Sequence, residues 1–175
     1  MEQARHDVNA FAPIYEQYCD RIYAYCYRRV GNRQDAEDLT SLIFTRAIAS
    51  LDSYRGGTLA AWLFRIARNA VYNHYRDRKT HISLEAEEIL LEAHDPQPLD
   101  ALIASEEQAA LAGLLDQLPE DQRDLLALKL AGGLTSQEIG EVIGKSAGAV
   151  RVEIHRIILQ LREQYQHEEG RYAAG

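Results

Sequence analysis

The sequence has no apolar run approaching the ~18 residues that a membrane span needs, which excludes insertion in a membrane. Its first ten residues, MEQARHDVNA, lack the basic-then-apolar pattern of a secretory signal, so the expected compartment is the cytoplasm. Cysteine is scarce. Cys19 and Cys26 are the only two, and seven residues of helix would hold their Cα atoms ~10 Å apart, too far for a disulfide. They read as buried thiols. The six histidines are scattered without metal-ligand spacing. No nucleophile–base pair and no glycine-rich phosphate loop occurs, so neither an enzyme, a metal nor a cofactor is expected. No segment alternates with a period of two between turn signals, which excludes a sheet. Positive charge is also short. The chain carries a formal net charge of -8, and a protein that grips DNA unaided is expected to be basic.

The acidity is concentrated. Residues 1–80 hold 12 Lys/Arg against 9 Asp/Glu, residues 81–118 hold 9 acids and no base, and residues 119–175 hold 7 bases against 9 acids. Helical periodicity and breaker residues divide the chain in the same way. A first helix is predicted over 8–30, ended by Gly31-Asn32. A second is predicted over 36–51 with Asp35 as its cap, and a third from about 59 to 79 after the loop DSYRGGT. The stretch THISLEAEEILLEAHDPQP, closed by Pro96 and Pro98, reads as an acidic linker. An apolar-periodic helix over 99–118 follows. Pro119 suits the first position of the next helix, which Gly132-Gly133 ends. Thr135 and Glu138 form a capping box. Gly144 breaks the short helix they open. Ser146 caps the last helix, predicted to reach about residue 166. The expected fold is all-α: a helical domain over 1–80, a linker over 81–97 and a second helical domain over 98–170.

GKSAGAVRVEIHRI, residues 144–157, reads as the turn and second helix of a helix-turn-helix, or else as part of an ordinary αα-hairpin. At about 100° per residue, Val150, Ile154, Ile157, Ile158 and Leu161 make one apolar stripe. Arg151, Val152, His155 and Arg156 lie opposite. Glu153 falls on the flank, where it weakens phosphate attraction or pairs with a basic neighbour. In the N-terminal half, AWLFRIARNAVYNHYRDRK turns Leu63, Ala67, Ala70 and Val71 one way. Arg65, Arg68, Asn69, Tyr72, Asn73 and Arg76 turn the other, with Tyr54 in the preceding loop. Carboxamides and guanidinium groups can read base edges, and aromatic rings can stack on unpaired bases. The alternative is a solvated basic face with tyrosines at the edge of a core. Trp62 and Phe64 are assigned mainly to packing.

DAEDL at 35–39, DSYRG at 52–56, WLFRIARN at 62–69, LPEDQRDLLALKLAGGLTSQEIG at 118–140 and GAVRVEIHRIILQLR at 148–162 resemble the extracytoplasmic-function (group 4) sigma factors of bacterial RNA polymerase, in order and over nearly the whole chain. The resemblance implies a sigma-2 domain that opens and binds the −10 promoter element as a single strand. It also implies a sigma-4 domain that reads the −35 element as duplex, with core RNA polymerase holding both domains. On this chain the −10 contacts fall on Tyr54, Asn69 and Asn73, with Arg65, Arg68, Tyr72 and Arg76 on the same face. The −35 contacts fall on Arg151, Val152, His155 and Arg156, with Lys145 and Ser146 at the turn. The polymerase-docking helix corresponds to 35–51, including Asp35, Glu37, Asp38 and Leu42. The family usually has an acid at Leu42, and often Thr, Ser and Arg at Ala149, Val152 and Glu153. The implied partners are core polymerase, promoter DNA and an anti-sigma factor. A stand-alone helix-turn-helix regulator would use only the second half and would leave the basic aromatic helix unexplained.

Overall fold

The computed structural model describes residues 11–84 and 106–172. Within them lie seven α-helices and no strand: α1 Ala12–Val30, α2 Arg33–Ala49, α3 Leu59–Leu84, α4 Glu106–Asp116, α5 Glu120–Leu130, α6 Ser136–Ile143 and α7 Ala147–Tyr172. A 3-10 turn, Leu51–Ser53, joins α2 to the loop before α3. The expected start of the first helix at residue 8, the acidic stretch 85–97 and the segment 98–105 lie outside the described residues.

Local chemistry sets most of the helix ends. Pro13 sits in the first turn of α1, where its missing N–H costs nothing. Gly31 closes that helix at φ 78, donating its N–H to Tyr27 O. The cap of α2 is Asn32, not Asp35: Asn32 is extended, and its side chain accepts from the Asp35 N–H at 2.9 Å. Asp35 answers from the first turn by accepting from Asn32 Nδ2 at 2.8 Å. Asn32 prevails because only a residue with extended backbone can turn its side chain back to free first-turn donors. That helix stops at Ala49, and Leu51 is the buried start of the 3-10 turn. α3 runs past 79 to Leu84, four residues into the expected linker. Pro119 stands at the cap of α5 rather than inside it, its carbonyl accepting from the N–H groups of Gln122 and Arg123, each at 3.0 Å. α7 extends to Tyr172, six residues beyond the expected end.

The two halves share a single core. α1 and α3 of the first half pack on α5 and α6 of the second. Tyr25 and Phe64 meet edge to face at 5.7 Å, and Phe64 lies so close to Gly132 that a Cβ there would stand 2.7 Å from its ring. Arg21 crosses the same seam, donating through Nε to Gly132 O at 2.9 Å. Leu128, Leu134, Ile139 and Ile157 are fully or almost fully buried on the C-terminal side, each contributing roughly 1.5–3 kcal/mol by leaving water.

Both cysteines are free thiols; Cys26 is buried and Cys19 is half-buried. Burial pushes the Cys26 thiol up to about 12, against a smaller opposing hydrogen bond with Thr40. A thiol raised in the folded state keeps its proton while the unfolded chain loses one. Stability from this site is therefore undiminished below about pH 9 and declines as pH climbs from there toward 12. At pH 8 a maleimide should modify Cys19 and leave Cys26 untouched until the chain is denatured, as read by mass spectrometry. Modification of both at equal rates in the native protein would contradict this packing.

Candidate nucleic-acid interface

The second half contains the expected helix-turn-helix. The capping box is complete: the Glu138 N–H donates to Thr135 Oγ1 at 3.2 Å, and the Thr135 N–H donates to Glu138 Oε2 at 2.8 Å. Gly144 ends α6 at φ 75, and the N–H groups of Gly144 and Lys145 both reach Gly140 O, at 2.8 and 3.0 Å. Ser146 Oγ then accepts from the Ala149 N–H at 3.2 Å and starts α7. Val150, Ile154 and Ile157 are buried, while Arg151, Val152, His155 and Arg156 are exposed. Ile158, expected in the buried stripe, is 37% exposed, whereas Leu161, further along the same stripe, is half-buried against the core. Val152 is 51% exposed at the centre of the free face. Glu153 is paired with Lys145, accepting from Nζ at 2.7 Å. One candidate phosphate ligand is thus held by the flanking acid.

The α3 face is divided in a way that the helical wheel does not show. Leu63, Ala67, Ala70 and Val71 are buried as expected. Asn69 and Arg76 are exposed, and Tyr72 and Asn73 are half-buried. Arg76 stands 3.6 Å from Asp77. Arg65 and Arg68, however, point into the second half. Arg65 Nη2 donates to Glu141 O at 2.7 Å, and Arg68 Nε donates to Asp124 Oδ2 at 2.7 Å. Tyr72 stays with Arg68, its ring 4.8 Å beneath the guanidinium and its Oη accepting from Nη2 at 3.2 Å. Tyr54 is half-buried beside Trp62, ring centroids 5.7 Å apart, and its Oη donates to Gly57 O at 2.8 Å.

On α2, Glu37, Asp38 and Leu42 are exposed on one side of the helix. Asp35 is occupied elsewhere: it accepts from Arg78 Nη1 at 3.2 Å and lies 3.3 Å from His74 Nε2, tying α2 to α3. Of the expected docking set, three residues face outward and Asp35 holds the domain together.

Three residues at the seam escaped the sequence reading. Asp124 is 1% exposed and is met by Tyr25 Oη at 2.7 Å, Arg68 Nε at 2.7 Å and Arg29 Nε at 3.5 Å. The Arg29 side chain is 3% exposed and also reaches Glu120 Oε1 at 3.3 Å. Its Nε lies within ion-pair range of Asp124 but makes no hydrogen bond. Burial first, and the Asp124 charge second, hold the Tyr25 phenol well above its ordinary range, so it remains a donor. One signal in the sequence pointed here: Asp124 is one helical turn before the fully buried Leu128, an acid in register with an apolar stripe.

Residues 14–81 match the family model for sigma-70 region 2, and residues 108–161 match that for sigma-70 region 4. The chain is 34% identical over 168 residues to the ECF RNA polymerase sigma factor SigW of Bacillus subtilis, covering 90% of each protein. It is 34% identical over 159 residues to BldN of Streptomyces coelicolor and 38% identical over 153 residues to SigE of Mycolicibacterium smegmatis, both named ECF RNA polymerase sigma factors. It covers 60% and 59% of those two proteins, which match 89% and 86% of this chain. The chain therefore spans about three-fifths of their length. Among solved structures, the sigma factor RpoE in complex with the anti-sigma factor NepR from Bartonella quintana superposes with a TM-score of 0.69 at 25% identity, covering 88% of this chain and 95% of that one. CnrH in complex with the cytosolic domain of CnrY shares the fold, with the same TM-score at 21% identity and coverage of 95% and 94%.

Proposed function

The chain belongs to the ECF RNA polymerase sigma factors, and from that membership we propose that it is a promoter-specificity subunit: it joins core polymerase and directs initiation by reading a −35 element as duplex and a −10 element as single strand. The observation that carries this reading is the pairing of two outward-facing polar helix surfaces, on α3 and α7, in a chain of net charge -8. Sequence-independent DNA affinity comes from neutralised phosphates, and this chain has few cations to spend on them. Core polymerase supplies the grip, and the exposed Glu37, Asp38 and Leu42 face of α2 is the proposed docking surface. No helix among the described residues is long and apolar enough to cross a membrane, which fits a subunit working beside polymerase in the cytoplasm. An anti-sigma factor is the proposed regulator, by analogy with the Bartonella sigma factor solved in such a complex.

Run-off transcription with purified core polymerase tests the role, alongside promoter binding with and without core. Specific initiation is expected only with both present. Tight sequence-specific binding by the chain alone, without initiation when core is added, would favour a stand-alone regulator and overturn the proposal.

Within the −35 surface the roles separate. Val152 has no hydrogen-bonding group, so its major-groove partner is a thymine methyl. Val152→Ser should relax preference at one base pair, by about 1 kcal/mol. Glu153→Arg frees Lys145 and reverses a flanking charge. It should strengthen binding to all promoters and steepen the log–log salt slope by roughly 0.9 for each further phosphate neutralised. Both are read in the holoenzyme against a library randomised over the −35 element. If Glu153→Arg shifts base preference and Val152→Ser does not, α7 lies rotated in the groove, with Glu153 rather than Val152 turned to the bases.

A further inference from the structure

The closed arrangement cannot read both promoter elements at once. Elements centred on −35 and −10 are about 25 base pairs apart, so about 85 Å along straight duplex at 3.4 Å per step. A compact chain of this length has a radius of gyration of roughly 16 Å and is about 40 Å across. The seam between the halves must therefore open, and the Asp124 cluster must come apart when it does. Separation leaves Arg29, Arg68 and Tyr25 on the first half and removes Asp124 and Glu120 with the second.

What remains on the first half has the form of an anion site. Two guanidinium groups and a protonated phenol converge on the point where the Asp124 carboxylate stands. Arg29 Nε is buried, aimed at that point and not satisfied by the acid. A carboxylate offers two oxygens on a short span. A phosphodiester offers two anionic oxygens set wider apart, with ester oxygens beside them, and arginine forks suit that geometry. The site also adjoins the −10 face: Arg68 neighbours Asn69 in sequence and stacks on Tyr72.

We propose that Asp124 is a built-in competitor for promoter DNA, occupying on Arg68, Arg29 and Tyr25 the place that a backbone phosphate of the opened strand takes once the two halves separate. This rests on the promoter-reading proposal above. It explains why the Asp124 and Arg29 charges are buried at the seam. An ion cluster adds little net stability over apolar packing, because its charges are rehydrated on opening, yet it fixes one register of closure. The same arginine is then closed by an acid or engaged by a phosphate, never both, so DNA access and closure exclude each other.

The test uses the full chain and a fluorescent 12-nucleotide single strand of mixed dT and dA, by anisotropy, with small-angle scattering reporting closure. Asp124→Asn keeps the shape and removes the charge. It should raise affinity for the strand about tenfold and increase the radius of gyration. A methylphosphonate strand, which lacks the backbone charge, should show no gain. Arg68→Gln also breaks the cluster and should open the chain equally, but it removes a phosphate ligand and should gain no affinity. Equal gains in the two variants, or affinity within twofold of wild type for Asp124→Asn, overturn the proposal. Should Asp124→Asn fail to fold by circular dichroism, Glu120→Gln gives the same test at a surface position, with about a threefold gain expected and none overturning the idea. Initiation by the wild-type chain with core polymerase is scored separately. A chain that binds the strand as described but never initiates refutes the promoter reading and leaves the anion site standing.

Discussion

Gly140→Ala should unseat the recognition helix and cost the protein both stability and −35 binding. Gly140 is buried in α6, and the turn into α7 folds directly back over it. A Cβ at this position would stand 2.4 Å from the carbonyl oxygen of Lys145 and 3.5 Å from the Ala147 nitrogen. These are backbone atoms, and they cannot rotate away as a side chain would. The turn must lift, and the two N–H bonds that Gly140 O accepts from Gly144 and Lys145 lengthen with it. Alanine gains up to about 1 kcal/mol of helix propensity over glycine, but overpacking of this kind costs about 1–3 kcal/mol and occasionally more. The clash is with backbone, so the cost lies at or above the upper end. A net loss of about 2 kcal/mol lowers the melting temperature by roughly 4–8 °C for a chain of this size. Gly148→Ala is the internal control. Its Cβ meets only Ser146 Oγ, at 4.0 Å, so it should leave the melting temperature unchanged or raise it slightly. Equal melting of the two variants would show that the turn does not press on Gly140.

The second large effect is expected on strand opening. Replacing Asn69 and Asn73 together by alanine should reduce open-complex formation by roughly 30-fold or more, taking ~1–3 kcal/mol for each good base-edge contact. Neither residue supports the seam in the way that Arg65 and Arg68 do, so folding should be unaffected. Tyr54→Ala removes a stacking platform instead, and a base–aromatic stack is worth ~1–3 kcal/mol. A promoter already unpaired over the −10 element should partly restore Tyr54→Ala, because the energy of unstacking has been supplied. It should not restore the double asparagine variant, whose lost contacts are to the bases themselves. Permanganate reactivity of unpaired thymines gives the readout. Wild-type opening in both variants would remove this face from the −10 site.

The seam bears on both results. In the closed chain the α3 face is only partly available: Asn69 is exposed, while Arg65 and Arg68 are bound to Glu141 and Asp124. A binding assay on the free chain therefore samples a surface with Arg68 held by Asp124 and Arg65, though exposed, hydrogen-bonded to the second half. This gives a second reason, beside net charge, why the chain alone should bind DNA poorly.

What the sequence determined by itself is what short-range chemistry decides. Helical period and breaker residues act within one or two turns, so the all-α class, the capping box at Thr135 and Glu138, the stop at Gly144 and the Ser146 cap were all readable from neighbours. The exposed face of α7 was readable for the same reason, since one buried stripe dictates its opposite. The cap of α2 shows the limit of that reach: Asn32 and Asp35 are both capping residues, and only the extended backbone at Asn32 decided between them. The tertiary structure alone decided which charges meet. Arg68 and Asp124 are separated by 56 residues, Tyr25 and Asp124 by 99, and Arg65 and Glu141 by 76. A helical wheel shows that an arginine points outward from its own helix. It contains nothing about which other helix will pack there, because that depends on the shape of an apolar seam built from both ends of the chain.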